Sequence, residues 1–453
     1  MMALLKLRIL CIILFFIILF PVSAMARENL FTISSSSQTQ KNKSLFATDM
    51  ARSTRKTITL NKRLPSSKAG DELDFVSMSG TPYTVIFDRL GKGHKSKTWI
   101  GHLKDHSIQY RAIITFNKNK VEGRISTPEG IMHIKSSQGE TQLIDYEGEG
   151  MQKVPFGDDF ILPEEDIPLS APDQSLSYDQ NKVVLAAAPS SFNGNTIVDV
   201  LVLYNTDFAT ENGGDPSLRI DQLTALANQA YLDSQVSMQI RVVAMELIDY
   251  SNLPSNNDAL DAISNASALA NEIADLRDQV GADLVSFIRP YKRSTHDGCG
   301  LANLNIYIGD DLEYLRELST SQVFSIVSDG IDVDYSGTGV YYLCADDTYA
   351  HELGHTMGLT HDRANAGSQG SHEYSYGYGN SGDFGTIMSY INPDVAFFSN
   401  PDIQDCNGYY CGTDIDDNAR SLNVDRDFIS AFRDEIVSQD SVNLNSVYFL
   451  LFL

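Results

Sequence analysis

The 453-residue chain is short of positive charge, of cysteine and of long apolar runs. Lys and Arg number 34 against 59 Asp and Glu, a formal net charge of -25. So acidic a chain repels a polyanion, which excludes nucleic acid as a partner. After residue 26 no stretch reaches the roughly 20 apolar residues a membrane-spanning helix needs. The terminal "VYFLLFL" is too short and reads as a tail. Only five cysteines are present, and no C-x-x-C spacing occurs among them, so a four-cysteine zinc site has no support. Histidine is also sparse, with nine in all.

What is there begins with an export signal. Lys6 and Arg8 precede the apolar run "ILCIILFFIILF", and small residues follow at Ala24 and Ala26. This pattern predicts a secretory signal peptide over 1–26 and a secreted protein, free of the membrane once the signal is removed. Cys11 leaves with the signal. Cys299, Cys344, Cys406 and Cys411 remain, an even number that suits two disulfides in an exported chain. Three pairings are open, and Cys299–Cys344 with Cys406–Cys411 is the favoured one.

Composition divides the rest. Residues 27–56 are rich in Ser, Gln, Lys and Asn and read as a disordered linker. Residues 57–147 alternate in short runs such as "PYTVIFDRL" and "YRAIITFN", a β-rich module. Residues 148–195 are irregular and proline-containing, a linker and processing region. Residues 196–440 form a second module, and 441–453 the tail. Its strand "TIVDVLVLY", helix "SLRIDQLTALANQAYLDSQV", strand "MQIRVVAMELIDY", helix over 257–280 and strand "ADLVSFIRP" give the order βαβαβ. This predicts an α/β (α+β) domain with a twisted, largely parallel mixed sheet. "SQVFSIV" is the expected edge strand, on which a peptide would add antiparallel. A last helix is expected over 416–437, packing through Leu422, Phe428, Ile429, Phe432 and Ile436.

A third of the histidines fall in "HELGHTMGLTH" (351–361). His351 and His355, four apart on a helix, present their rings on one face. Gly358 permits a sharp turn that returns His361 to the same point. Three imidazole nitrogens with one open corner suit catalytic Zn²⁺. Glu352 is the candidate general base for the metal's water. The other six histidines, at 94, 102, 106, 133, 296 and 372, lack such spacing and read as solvated or core residues.

"HELGHTMGLTH" followed by "GTIMSY" resembles the metzincin signature, a class of zinc endopeptidases. The resemblance implies a metzincin-type catalytic domain with a zinc helix, and Met388 packed beneath the zinc ligands His351, His355 and His361. Asp362, "YGYG" and "FFSNPDI" make 196–437 similar to bacterial reprolysin-like and peptidyl-Asp metalloendopeptidases. That likeness implies protein or peptide substrates, cut before acidic side chains. Tyr390 is similar to the astacin and serralysin tyrosine that ligates zinc or steadies the transition state. Asp362 is expected to make a structural hydrogen bond.

The resemblance also implies that the β module is a propeptide. It holds no cysteine to block the metal, so Asp158 or Asp159 is the candidate blocking carboxylate. "DGIDVD" (329–334) and "DIDD" (414–417) offer oxygens to Ca²⁺, but neither has EF-hand spacing, and surface acidity is the preferred reading. A non-catalytic binding or adhesion protein and a zinc amidase on a non-protein substrate are the rival functions. Oligomeric state is not encoded legibly.

Overall fold

Alternating apolar residues in "PYTVIFDRL" and "YRAIITFN" demand strands with one buried face. The computed structural model forms them as β5 (Pro82–Lys92) and β7 (Arg111–Phe116). It describes residues 27–34, 54–137, 139–154, 159–162, 191–192, 195–265, 267–306, 322–333 and 339–436. The proposed signal, Asp158 and the tail lie outside these.

The first module adds β1 (Glu28–Asn29), β2 (Phe31–Ile33), β3 (Arg55–Leu60), β4 (Glu72–Val76), β6 (Lys97–Leu103), β8 (Val121–Thr127), β9 (Gly130–Ser137) and β10 (Glu140–Ile144). β1 pairs with β4 at one end of the sheet, and β2 pairs with β3 at the other. Only Leu30 separates β1 from β2, so one short segment joins both ends and the sheet closes into a barrel. Closure removes the exposed edges that invite aggregation. Its interior is filled: Trp99 is fully buried, lies 5.3 Å from the Phe87 ring and donates to Ser67 Oγ at 3.0 Å. Residues 28–33 and 55–56 correct the expected linker. Leu30 and Phe31 carry apolar surface into the barrel core, a contribution that averaging over a Ser-rich stretch conceals.

The second module is built on four parallel strands in the order β15 (Met238–Leu247), β14 (Asn195–Tyr204), β16 (Leu284–Pro290) and β18 (Phe324–Val333). β14 is buried along eight consecutive residues, as a central strand covered on both faces must be. Helices α1 (Thr206–Glu211) and α2 (Ser217–Asp233) cross from β14 to β15. The single helix expected over 257–280 is two, α3 (Asn256–Ser264) and α4 (Ala268–Val280). Ser267 restarts the chain by accepting from Ala270 N at 2.9 Å, the alternative bonding that makes Ser and Asn poor helix-interior residues. Gly281 ends α4 at φ 65°, as expected.

β18 is not an edge. β16 flanks it on one side, and antiparallel β17 (Gly300–Asn303) and β19 (Tyr341–Cys344) flank it on the other. The outer edge therefore belongs to β17. Both favoured disulfides form: Cys299–Cys344 joins the chain ahead of β17 to the end of β19, and Cys406–Cys411 closes a small loop. Helix α5 (Thr348–Thr356) carries the histidine motif. The last helix, α6 (Asn418–Ile429), is shorter than expected because Asp417 caps it and Ser430 ends it. Leu422, Ile429 and Phe432 pack as expected, but Ile436 is exposed.

The barrel docks on α2. Ile100 and Ile113 pack on Leu226, and Gln222 bonds with both Ile113 O and Thr115 N. Asp221 accepts from His94 N and Ser96 Oγ. Arg111 Nε donates to Asp233 at 2.8 Å.

Candidate metal centre

The i and i+4 positions of α5 bring His351 and His355 together, with Nε2 atoms 3.1 Å apart. Gly358, at φ 84°, turns the chain out of the helix. A side chain there would strike Ser371 Oγ at 1.9 Å, so only glycine fits the bend. The bend delivers His361, whose Nε2 lies 3.3 Å from that of His351. All three histidines are buried.

This donor set fits a tetrahedral zinc. Nitrogens about 2.0–2.1 Å from such an ion lie about 3.3 Å apart. His351 Nδ1 donates to Ile387 O at 2.7 Å, and His355 Nδ1 to Leu359 O at 2.8 Å. With the protons on Nδ1, the Nε2 lone pairs of His351 and His355 point to one spot that His361 Nε2 also approaches, an arrangement that favours a cation between them. Burial holds His355 down at about 4, in the neutral form a metal requires.

A fourth donor comes from far away in sequence. Asp159 Oδ1 lies 2.7 Å from His361 Nε2 and 3.2 Å from His355 Nε2, and Oδ2 lies 3.3 Å from His351 Nε2. Among the described residues this is the cluster able to hold an ion, with all four ligand atoms within 4.8 Å of one another. Burial pushes the Asp159 carboxyl up, but the imidazoles around it, His351 foremost, outweigh burial and hold the carboxyl well below its usual range. Asp159 leads into β12 (Phe160–Ile161), which pairs in parallel with β17 and occupies its outer edge. Ala302 N donates to Asp159 O at 3.0 Å and Leu304 N to Ile161 O at 2.9 Å.

Glu352 faces the same recess. A Cβ on Gly300 would meet its Oε1 at 2.1 Å, so the carboxyl lies flush against β17. Its Oε2 is buried with no hydrogen-bond partner. Burial, and next the Asp159 charge, raise its pKa well above the ordinary value.

Met388 is fully buried beneath the helix. A Cβ on Gly354 would touch its Sδ at 2.6 Å. Asp362 accepts from Ser389 Oγ and Tyr390 N, the structural role expected of it. The Tyr390 ring packs 4.1 Å from that of His361.

The acidic runs have other work. Asp329 pairs with Arg219, Asp416 pairs with Arg363, and Asp417 caps α6. Of the other histidines, His296 is a core residue and His133 pairs with Asp346.

Sequence reasoning missed β17. Four residues are too few to show a period, and only the neighbouring Cys299 and Gly300 mark it. It also missed Asp347 and Asp394, which line the recess. Asp347 carries only the signal of an acid at a helix start.

A buried three-histidine centre with an adjoining carboxyl, beneath the edge of a mixed sheet, defines a metallohydrolase class of site. Residues 195–416 match the metallo-peptidase family M12B, reprolysin-like, and 26–148 match the BamI lipocalin-like domain. Residues 195–416 of the chain therefore belong to the reprolysin-like, metzincin-type metallopeptidases. A peptidyl-Asp metalloendopeptidase of Pseudomonas aeruginosa is 34% identical over 275 residues, 55% of this chain and 43% of that protein. One of Stenotrophomonas maltophilia is 25% identical over 354 residues, 74% of this chain and 76% of that protein. The chain thus spans less than half of the Pseudomonas relative. Metalloproteinase-II from Bacteroides fragilis covers 75% of this chain and 94% of its own at 9% identity and a TM-score of 0.40, too slight a likeness to carry an argument.

Proposed function

We propose that the chain is the latent precursor of a secreted zinc endopeptidase. The carrying observation is the convergence of His351, His355 and His361 beside the unpartnered Glu352 carboxyl, against the β17 edge. The export-type leader in the sequence supports secretion.

When bound, zinc supplies Lewis acidity that brings a water's pKa to about 7 and polarises a carbonyl. This chain's residues do the rest. The outer edge of β17 binds the substrate backbone as an added antiparallel strand. Glu352 takes a proton from the attacking water and returns it to the leaving nitrogen. Tyr390, held beside His361, steadies the developing charge.

Asp159 makes the precursor inactive in this reading. It takes the donor position that water requires, and β12 takes the strand position that substrate requires. Because β12 runs parallel to β17, its peptide bonds are presented in the reverse sense to an antiparallel substrate. Departure of this segment removes the Asp159 charge, which after burial is the second cause of the raised Glu352 pKa.

The test compares the processed wild type with Glu352→Gln. A peptidase loses hydrolysis of a casein substrate while its zinc content, by metal analysis, stays at one per chain. Full function without turnover would sustain the adhesion reading, and cleavage only of non-peptide amides would sustain the amidase reading.

A further inference from the structure

The recess beside Glu352 extends past Gly300 toward Cys299, Asp297 and the start of α5, with a volume of about 280 Å³. A substrate antiparallel to β17 runs C-terminally toward Gly300. The recess therefore receives the side chain that follows the scissile bond.

Its charge is one-sided. From the second module, Asp297, Asp347, Glu352 and Asp394 line it, and no Lys or Arg is among the described lining residues that this module contributes. Asp347 stands one helical turn ahead of His351, whose N donates to Asp347 O at 3.0 Å. Asp394 is fixed on the opposite wall, where Gly385 N donates to Pro393 O and Val395 N to Gly385 O.

The cations that neutralise this wall come from residues ahead of the second module. Lys153, in β11 (Gln152–Lys153), places Nζ 2.6 Å from Asp394 Oδ2 inside the recess. Arg124 of β8 places Nη1 2.7 Å from Asp347 Oδ1. Asp394 Oδ1 is buried and has no hydrogen-bond partner. Once the first module departs, two half-buried carboxylates face a recess with no Lys or Arg among the described lining residues of the second module, and a substrate cation is the group that restores the balance.

We infer that the recess selects a lysine or arginine side chain immediately after the cleaved bond, with Asp394 and Asp347 as the specificity-determining residues and Lys153 as their occupant in the precursor. An acidic side chain there would meet like charge. This preference is opposite to the one the names of the peptidyl-Asp relatives suggest, and it rests on the peptidase reading above.

The test uses the full chain, zinc-loaded and processed by limited proteolysis ahead of residue 195. Fluorogenic peptides differ only in the residue after the scissile bond: Lys, Arg, Ala or Asp. We expect Lys and Arg peptides to exceed Ala by about tenfold or more in kcat/KM, with Asp slowest. Asp394→Asn should collapse the Lys-to-Ala ratio, and Asp394→Lys should turn the preference toward Asp. Asp347→Asn serves the same purpose if an Asp394 variant does not fold. Binding of the uncut Lys peptide to processed Glu352→Gln, by fluorescence anisotropy, gives a readout independent of turnover and should be tighter than binding of the Asp peptide. Hydrolysis with equal rates, or with Asp preferred, overturns this inference and leaves the peptidase reading intact. Neither hydrolysis nor binding of any peptide overturns both.

Discussion

Asp362 Oδ2 accepts a hydrogen bond from Tyr390 N at 3.0 Å. The residue after the third histidine is thereby tied to the turn that carries Met388, and Ser389 Oγ joins the same oxygen at 3.1 Å. The last ligand and the floor of the site thus move as one unit. Replacing Asp362 by Ala leaves these donors unmatched behind a ligand. Zinc affinity is expected to fall about 10- to 100-fold, the usual cost of losing an outer-shell partner. Competition against a chromophoric chelator measures it, and unchanged affinity would show that the turn holds without the tie.

Gly354 is required by volume. A methyl at this position would sit 2.6 Å from Met388 Sδ, and overpacking of this kind costs about 1–3 kcal/mol. The better helix propensity of alanine returns less than that. Gly354→Ala should therefore lower the melting temperature, and Gly354→Ala with Met388→Ala should recover part of the loss.

Glu352→Gln keeps the shape and removes the base. General acid–base catalysis contributes about 10²–10⁴-fold, so the processed variant should lose at least that much in kcat. Metal analysis separates loss of the base from loss of zinc.

Asp159→Ala removes the carboxylate from the histidine cluster while leaving the β12 pairing in place. The unprocessed chain should then hydrolyse small peptides faster than wild type, although β12 still hinders longer ones. An intact, uncleaved Asp159→Ala chain as inert as wild type would refute the blocking role.

His296 provides the pH prediction. Its Nε2 donates to Asn252 O, and its Nδ1 accepts from Lys292 N and Ser328 Oγ, a satisfied neutral ring. Burial, then the nearby Arg289 charge, lowers its pKa from 6.5 to about 3. Between those values the unfolded chain binds a proton that the folded chain refuses, so stability falls as pH drops from about 6.5 toward 3. Above 6.5 the group is neutral in both states and contributes no slope. His296→Gln should flatten that part of the curve of melting temperature against pH.

Legibility in the sequence followed the range of the interactions. The zinc triad was readable because two ligands sit on one helical face and one glycine turn supplies the third, all within eleven residues. The βαβαβ order and the Gly281 stop were readable for the same local reason. The break at Ser267 was not, because helical periodicity continues across it. β1 and β2 were hidden because a six-residue segment with three apolar side chains is too short to alter composition.

By itself the sequence determined the metal chemistry, the division into a β module and an α/β module, and the favoured cysteine pairing. Only the tertiary structure decided that β17 rather than β18 is the edge, and that the Asp159 carboxylate reaches all three histidines. It alone set Lys153 and Arg124 against Asp394 and Asp347. Each of these contacts joins residues more than a hundred positions apart, or follows from which strand pairs with which. A helical period fixes directions within a few turns, whereas pairing across a sheet and docking of a barrel depend on the packing of the whole chain.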